Sequence, residues 1–179
     1  MEALFKAIYF AAPAFFAGIS PVILAGLRWF EFLNFPVDFN KSLGGEYIFG
    51  NHKTWRGLIF APIVGIVVAF IQYLFYPSLQ IISIVDYPNY WLAFGLLSGL
   101  GAIVGDLIKS FFKRRFKIAS GKPWPFFDQI DAILGFLIFT YFIAKPDLIT
   151  IFIIIFLGIA CALFSNIIAY SLGIKKVWW

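Results

Sequence analysis

One cysteine, one histidine and a charged fraction of only 13% remove several kinds of protein from consideration for this chain of 179 residues. Cys161 has no second cysteine for an intramolecular disulfide, and with His52 as the lone histidine there is no Cys/His cluster of metal-binding spacing. Thiol redox chemistry and structural zinc are therefore not expected. The shortage of charge argues against an ordinary soluble domain. In its place stand 62% hydrophobic and 21% aromatic residues and a mean hydropathy of +0.92, a balance suited to a lipid solvent. No internal repeat, low-complexity tract or linker interrupts the chain, which reads as a single domain over residues 1–179. The first apolar stretch is longer than a signal-peptide core, follows Glu2 and Lys6, and contains no clear processing site, so it is expected to be a retained first span.

Apolar stretches run approximately from Phe5 to Leu33, Leu58 to Phe75, Trp91 to Phe112, Ile130 to Ala144 and Leu148 to Leu172. Each approaches the roughly 20 residues a helix needs to cross a hydrocarbon core, and five such spans use most of the chain. The expected fold is thus an all-α integral membrane protein of about five transmembrane helices. Pro13 and Pro21 predict a kink or break in the first span. The fourth stretch is short and completes a crossing only if Phe126 to Gln129 join it. Pro146, in the tight link Lys145 to Asp147, is placed to start the last helix.

The charge pattern predicts the topology. Lys41, Lys53 and Arg56 lie in the first long loop. Lys109, Lys113, Arg114, Arg115, Lys117 and Lys122 mark the end of the third span and the loop after it, and Lys175 and Lys176 end the chain. With five crossings these all fall on one side, against Lys6 and Lys145 on the other, so the N-terminus is expected outside and the C-terminus and two long loops in the cytoplasm. The same asymmetry explains a net charge of +5 and a pI near 9.4 without a nucleic-acid partner.

The third span carries Gly95, Gly99, Gly101 and Gly105, small-residue rows that let helices approach closely; Gly105, directly before Asp106, also leaves room for a ligand near the backbone. Asp106 is the strongest functional signal, because a carboxylate after a long apolar run is costly in lipid and needs a cavity, a partner or an ion. Lys109, Ser110 and Lys113 follow at i+3, i+4 and i+7 and share its helical stripe. An Asp106–Lys109 ion pair with snorkelling lysines is the plain alternative. Asp128 and Asp131, three apart at the start of the fourth helix with Gly135 on the same face, either complement the helix dipole or point at one site. Three carboxylates at one depth, joined by a basic loop, suit Mg²⁺ and phosphate, and hence phosphoryl or nucleotidyl transfer. His52-Lys53-Thr54-Trp55-Arg56-Gly57 adds cations and a hydroxyl on the same side, with His52 expected as a solvated loop residue and Trp55 as an interfacial anchor.

The segment from Gly105-Asp106 through Ser110, Lys113-Arg114 and Arg115 to Asp128 and Asp131 resembles the signature of the CDP-diacylglycerol synthase superfamily, which joins a G-D pair, an S-x-x-K-R run and a terminal D-x-x-D. With Lys53-Thr54-Trp55-Arg56-Gly57 upstream, the chain is most similar to the archaeal branch, the CDP-archaeol synthases. The resemblance implies that CTP and 2,3-di-O-geranylgeranylglyceryl phosphate, an isoprenoid ether lipid phosphate, give CDP-unsaturated archaeol and pyrophosphate with Mg²⁺. It further implies that Asp106, Asp128 and Asp131 hold the metal and, with Lys113, form the catalytic group. Ser110, Lys113, Arg114 and Lys117 would contact phosphates, and Lys53, Thr54 and Arg56 would complete the nucleotide pocket. One departure is that Trp124-Pro125-Phe126-Phe127 stands where bacterial and eukaryotic relatives have H-G-G. Other readings the residues allow are a CTP-dependent polyprenol kinase, a small ion-coupled transporter using Asp106, and a scaffold that binds anionic lipid through the basic loop.

Overall fold

The structure, a computed structural model, describes residues 1–120 and 122–171, except the side chains at 164–166, 168, 169 and 171. Lys175, Lys176 and the expected end of the last span at Leu172 lie outside the described residues.

Among the described residues five α-helices carry the chain: α1 Glu2–Gly26, α2 Trp55–Leu79, α3 Tyr87–Arg115, α4 Phe127–Thr140 and α5 Leu148–Ser171. The helical period alone does not decide their ends. The first apolar stretch stops being helical at Gly26, because Arg28 and Phe30 take left-handed backbone angles (φ 54° and 56°) that turn the chain out of α1. Only a short 3-10 turn, Glu31–Leu33, follows. Of the kink or break expected at Pro13 and Pro21, the break does not occur: α1 is one helix through both. Pro13 is buried against neighbouring helices, whose packing holds the helix across its missing hydrogen bond. The fourth helix ends earlier than its apolar run. The Thr140 hydroxyl donates back to the Phe136 carbonyl at 2.8 Å, and Pro146 disfavours helix at Lys145. The start of α5 is marked by Asp147 rather than Pro146, since its Oδ1 accepts the Thr150 N–H at 2.7 Å.

Helices α1, α2 (with the 3-10 turn to Ile82) and α3 are each long and apolar enough to cross a membrane by length and composition. At 14 residues α4 is too short to do so alone. The apolar run of α5 covers Leu148–Leu163. Large apolar side chains such as Val67, Leu74, Phe142, Phe152 and Phe156 point outward, as a lipid-facing surface requires. The interior is filled by Phe10, Phe94, Phe136 and Tyr87, with Phe10 centred 5.3 Å from Phe94 and 5.1 Å from Phe136. Two of its tyrosines are partnered through Gln72, whereas the hydroxyl of Ser98, also fully buried, has no hydrogen-bond partner among the described residues. The Tyr87 hydroxyl donates to Gln72 Oε1 at 2.8 Å, and the Tyr9 hydroxyl donates to the Gln72 carbonyl at 3.0 Å.

α3 is the central helix, lying between α2 and α4, while α1 crosses α2, α3 and α5. The glycines of α3 make this possible. A methyl group on Gly95 would lie 2.7 Å from the Gly65 carbonyl oxygen, and one on Gly99 2.5 Å from Pro62 Cα. On the opposite face, Gly101 meets Gly135 and Gly105 meets Asp131, backbone against backbone. The room beside Gly105 that could have admitted a ligand is therefore filled by α4. Gly135, expected to share a face with Asp131, is buried in this seam, so the seam itself aims Asp131 at α3.

Candidate functional site

The α3–α4 seam leads directly into a cluster of charges. Lys109, one turn past Gly105, places its ammonium nitrogen 3.0 Å from Asp106 Oδ1, 2.9 Å from Asp128 Oδ1 and 2.8 Å from Asp131 Oδ2. Lys113, one turn further, donates to both oxygens of Asp128 at 3.1 Å and to the Lys122 carbonyl at 2.5 Å. Lys53 reaches in from the first loop and donates to Asp106 Oδ2 at 2.5 Å. Asp128 also accepts the Trp124 N–H at 2.6 Å, which ties the loop before α4 to the cluster. Three carboxylates thus face three ammonium groups. All are largely shielded from water, with Lys109 13% and Asp131 10% exposed at the side chain. Removing one partner of such a shielded pair costs about 3–5 kcal/mol, because the other charge is left desolvated.

The first loop holds Lys53 in place through its own network. Asp38, buried, accepts N–H groups from Asn40 at 3.0 Å, Phe49 at 2.8 Å and Gly50 at 3.2 Å, which folds residues 38–50 around one carboxylate. Val37 N–H then donates to the Lys53 carbonyl at 2.8 Å and Trp55 N–H to that of Phe35 at 3.1 Å. Trp55 packs beside Phe35 and Phe39. The small antiparallel hairpin within the loop, β1 Ser42–Leu43 with β2 Glu46–Tyr47, is clamped to α3 by Arg115, which donates to the carbonyls of Leu43, Glu46 and Tyr47. The roles of Asp38 and Arg115 carry no sequence signal, since each depends on carbonyls or amides brought close by folding.

The candidate residues therefore divide. Asp106, Asp128, Asp131, Lys113 and Lys53 converge. Ser110 is buried on α3 one turn past Asp106, and Arg114 is buried beside Gly50 and Ser120. Arg56 turns away from the carboxylates: Nη1 donates to the Trp29 carbonyl at 3.1 Å and to Glu31 Oε1 at 3.0 Å, and Nη2 to Asn34 Oδ1 at 3.3 Å. With Thr54, His52 and Arg28 it lines a polar cavity of about 350 Å³ between the end of α1 and the start of α2. Lys117 is exposed, in a left-handed conformation (φ 57°) just past α3. Lys109 is the residue whose importance the sequence understated. Its i+3 spacing signalled a pair with Asp106, but its reach to both aspartates of α4 depends on how the two helices pack.

The donor chemistry suits a hard divalent cation, which prefers carboxylate oxygens. Among the described residues, however, no three acidic, histidine or cysteine side chains stand close enough together to hold an ion directly. The three carboxylates meet at the Lys109 ammonium, which supplies the positive charge at their point of convergence. The carboxylates are donors of the type magnesium takes, but the Lys109 ammonium occupies their point of convergence and they do not form a metal-binding group as they stand.

Helices with apolar outer surfaces and a shielded carboxylate–ammonium cluster at one end describe a membrane protein with a polar site built into its helical bundle. A solved structure described as an intramembrane enzyme for archaeal membrane lipid biosynthesis superposes with a TM-score of 0.75, at 26% identity over 90% of this chain and 92% of that one. The family model described as CarS-like, CDP-archaeol synthase, matches residues 1–179. The CDP-archaeol synthase of Methanocaldococcus jannaschii is 38% identical, covering 98% of this chain and 97% of its own, and that of Pyrococcus furiosus is 35% identical over the full length of both. The chain belongs to the CDP-archaeol synthase family, the CTP-dependent cytidylyltransferases of archaeal membrane-lipid biosynthesis.

Proposed function

We propose that the chain transfers the cytidylyl group of CTP to 2,3-di-O-geranylgeranylglyceryl phosphate, giving CDP-unsaturated archaeol and pyrophosphate. The observation that carries this reading is the convergence of Asp106, Asp128 and Asp131 with Lys53, Lys109 and Lys113 at the end of α3. The lipid phosphate is anionic at neutral pH, so one of its oxygens attacks the α-phosphorus without a strong general base as the bond to the β-phosphate oxygen breaks. Catalysis is then positioning and charge neutralisation. Asp106, Asp128 and Asp131 would be the carboxylates offered to Mg²⁺, whose charge would offset that of the triphosphate and pyrophosphate. Lys113, Ser110 and Arg114 face the phosphates, with Lys117 at the rim; Lys53, Thr54 and Arg56 form the nucleotide side.

In this reading all five helices cross the membrane, α4 with the help of its flanking residues, and the N-terminus lies outside. The site then opens to the cytoplasm. The basic residues at the ends of α1, α2 and α3 support it: Arg28, absent from the loop count above, shares the cavity of Arg56 and adds to the same side. Reconstituted protein supplied with CTP, Mg²⁺ and the lipid phosphate is expected to release pyrophosphate and form a CDP-lipid. Asp128→Asn and Asp131→Asn are expected to abolish this while remaining folded. Full activity in both variants would remove the carboxylates from the site, and CDP with a doubly phosphorylated lipid as product would replace the reaction with γ-phosphate transfer.

A further inference from the structure

Phe126 carries two costs at once. It stands at the start of α4 at φ 67°, a left-handed conformation in which a bulky residue is strained, and its ring is 78% exposed. Strain of this kind persists where the placing of the side chain matters. Its neighbours in the chain form an aromatic platform. Trp124 stacks on Phe127 with ring centroids 4.3 Å apart and meets Phe116 edge-on at 5.5 Å, so three rings bridge the end of α3 and the start of α4. Apolar side chains continue from there along both helices, Ile108 and Phe112 on α3 and Leu134 and Ile138 on α4, all exposed and spaced to form one stripe on each. The plain alternative is a set of interfacial anchors, which need only the right depth. This platform is in addition fixed to the charged cluster. Trp124 N–H donates to Asp128 Oδ2 at 2.6 Å, and the Lys113 ammonium, itself bonded to Asp128, donates to the Lys122 carbonyl at 2.5 Å. Lys117 and Lys122, which flank the platform, are exposed and form no ion pair among the described residues.

We propose that this platform is the docking site of the lipid acceptor. The phosphate head lies at Lys117 and Lys122, the first chain segments lie on the rings of Phe116, Trp124 and Phe126, and the rest of the chains follow the apolar stripes of α3 and α4. The two halves of the site identify the occupant. An anion alone would need no exposed rings, and a neutral lipid would need no unpaired ammonium groups; a lipid phosphate uses both. Lys53, Lys109 and Lys113 are already spent on carboxylates, so the rim cations are where an arriving head group finds its countercharge. The head is thereby held beside Asp128 while the tails stay in the bilayer. This proposal rests on the lipid-phosphate acceptor proposed above.

The test is steady-state turnover of the full chain in mixed micelles, with the mole fraction of lipid phosphate and the concentration of CTP varied separately. Phe126→Gly removes the ring and the left-handed strain together. It is expected to raise KM for the lipid about fivefold, with KM for CTP unchanged and a thermal midpoint equal to or above that of wild type. Phe32→Ala is the control, since its ring is 75% exposed just past the end of α1 and away from the platform; its KM for the lipid should stay at the wild-type value. An equal rise in the two variants would make the platform an interfacial anchor and overturn the proposal. An unchanged KM for the lipid in Phe126→Gly, or a rise in KM for CTP instead, would overturn it as well. If Phe126→Gly is not recovered folded, Lys117→Gln, which removes one exposed rim charge, takes its place with the same expected split. A binding measurement separates the site from the reaction. With p-benzoylphenylalanine in place of Phe126, light should cross-link labelled lipid phosphate; excess unlabelled lipid phosphate should suppress the labelling, and the same lipid without its phosphate should not. If wild type makes no CDP-lipid, the proposed reaction fails and the cross-link alone decides the site: labelling that both competitors suppress equally, or that neither suppresses, overturns it.

Discussion

Gly105→Ala tests whether helix packing sets the geometry of the charged cluster. A Cβ at this position would lie 2.9 Å from the carbonyl carbon of Asp131, nearer still to its oxygen, and 3.3 Å from Gly135 Cα. Carbon atoms in contact rest at about 3.5–4.0 Å, so the two backbones must part by about 0.6–1 Å. The backbone that retreats is that of Asp131, whose carboxylate lies 2.8 Å from Lys109 one turn along α3. Overpacking of this kind costs about 1–3 kcal/mol of stability, and a misplacement of about 1 Å at reacting groups costs on the order of 100-fold in rate. Gly95→Ala is the matched control. Its Cβ would lie 2.7 Å from the Gly65 carbonyl oxygen, also a backbone clash but on the α2 side of the same helix, far from the cluster. Pyrophosphate release and thermal unfolding measured on both variants should show similar losses of stability but a much larger loss of kcat in Gly105→Ala. Equal losses of kcat, or a stable and fully active Gly105→Ala, would refute the link between seam and cluster.

Lys113→Ala should raise KM for CTP and leave Asp128 held, among the described residues, by Lys109 and the Trp124 N–H; an unchanged KM and kcat would remove Lys113 from the site. Arg115→Ala releases three carbonyls of the loop hairpin, so trypsin should cut after Lys41 several-fold faster with little change in the thermal midpoint, a local rather than global opening. Asp147 lies between α4 and α5, and the Thr150 N–H bonded to it holds its carboxyl below the usual value of 3.8. A depressed folded value means a stabilising contribution present above pH 3.8 and lost as pH falls through the lower folded value. Asp147→Asn should therefore flatten the acid limb of the stability curve, and identical acid limbs in the two proteins would discount the cap.

How far the sequence reaches can be judged from individual residues. Apolar runs of near-spanning length establish a membrane protein of helices, because lipid offers no partner for exposed backbone groups. Asp106 stands out as functional for the related reason that an unpaired carboxylate in lipid is too costly to keep. The spacing of Asp128 and Asp131 puts both on one helical face, and the shared G-D, S-x-x-K-R and D-x-x-D pattern points to the family. These inferences use only distances along the chain and the chemistry of the solvent. The end of α1 at Gly26 and of α4 at Thr140 came from left-handed turns and back-bonding that apolar periodicity does not encode.

What lay beyond the sequence was every relation between helices. That Lys109 joins carboxylates on α3 and α4, that Arg56 turns toward Glu31 instead, and that Arg115 clamps a hairpin more than sixty residues earlier all depend on which backbones meet. Gly105 shows both halves of the matter. The sequence by itself determined that a small residue stands beside Asp106. Only the tertiary structure decided that the space it leaves belongs to the backbone of Asp131, because side-chain spacing along one helix does not specify which neighbour fills the groove.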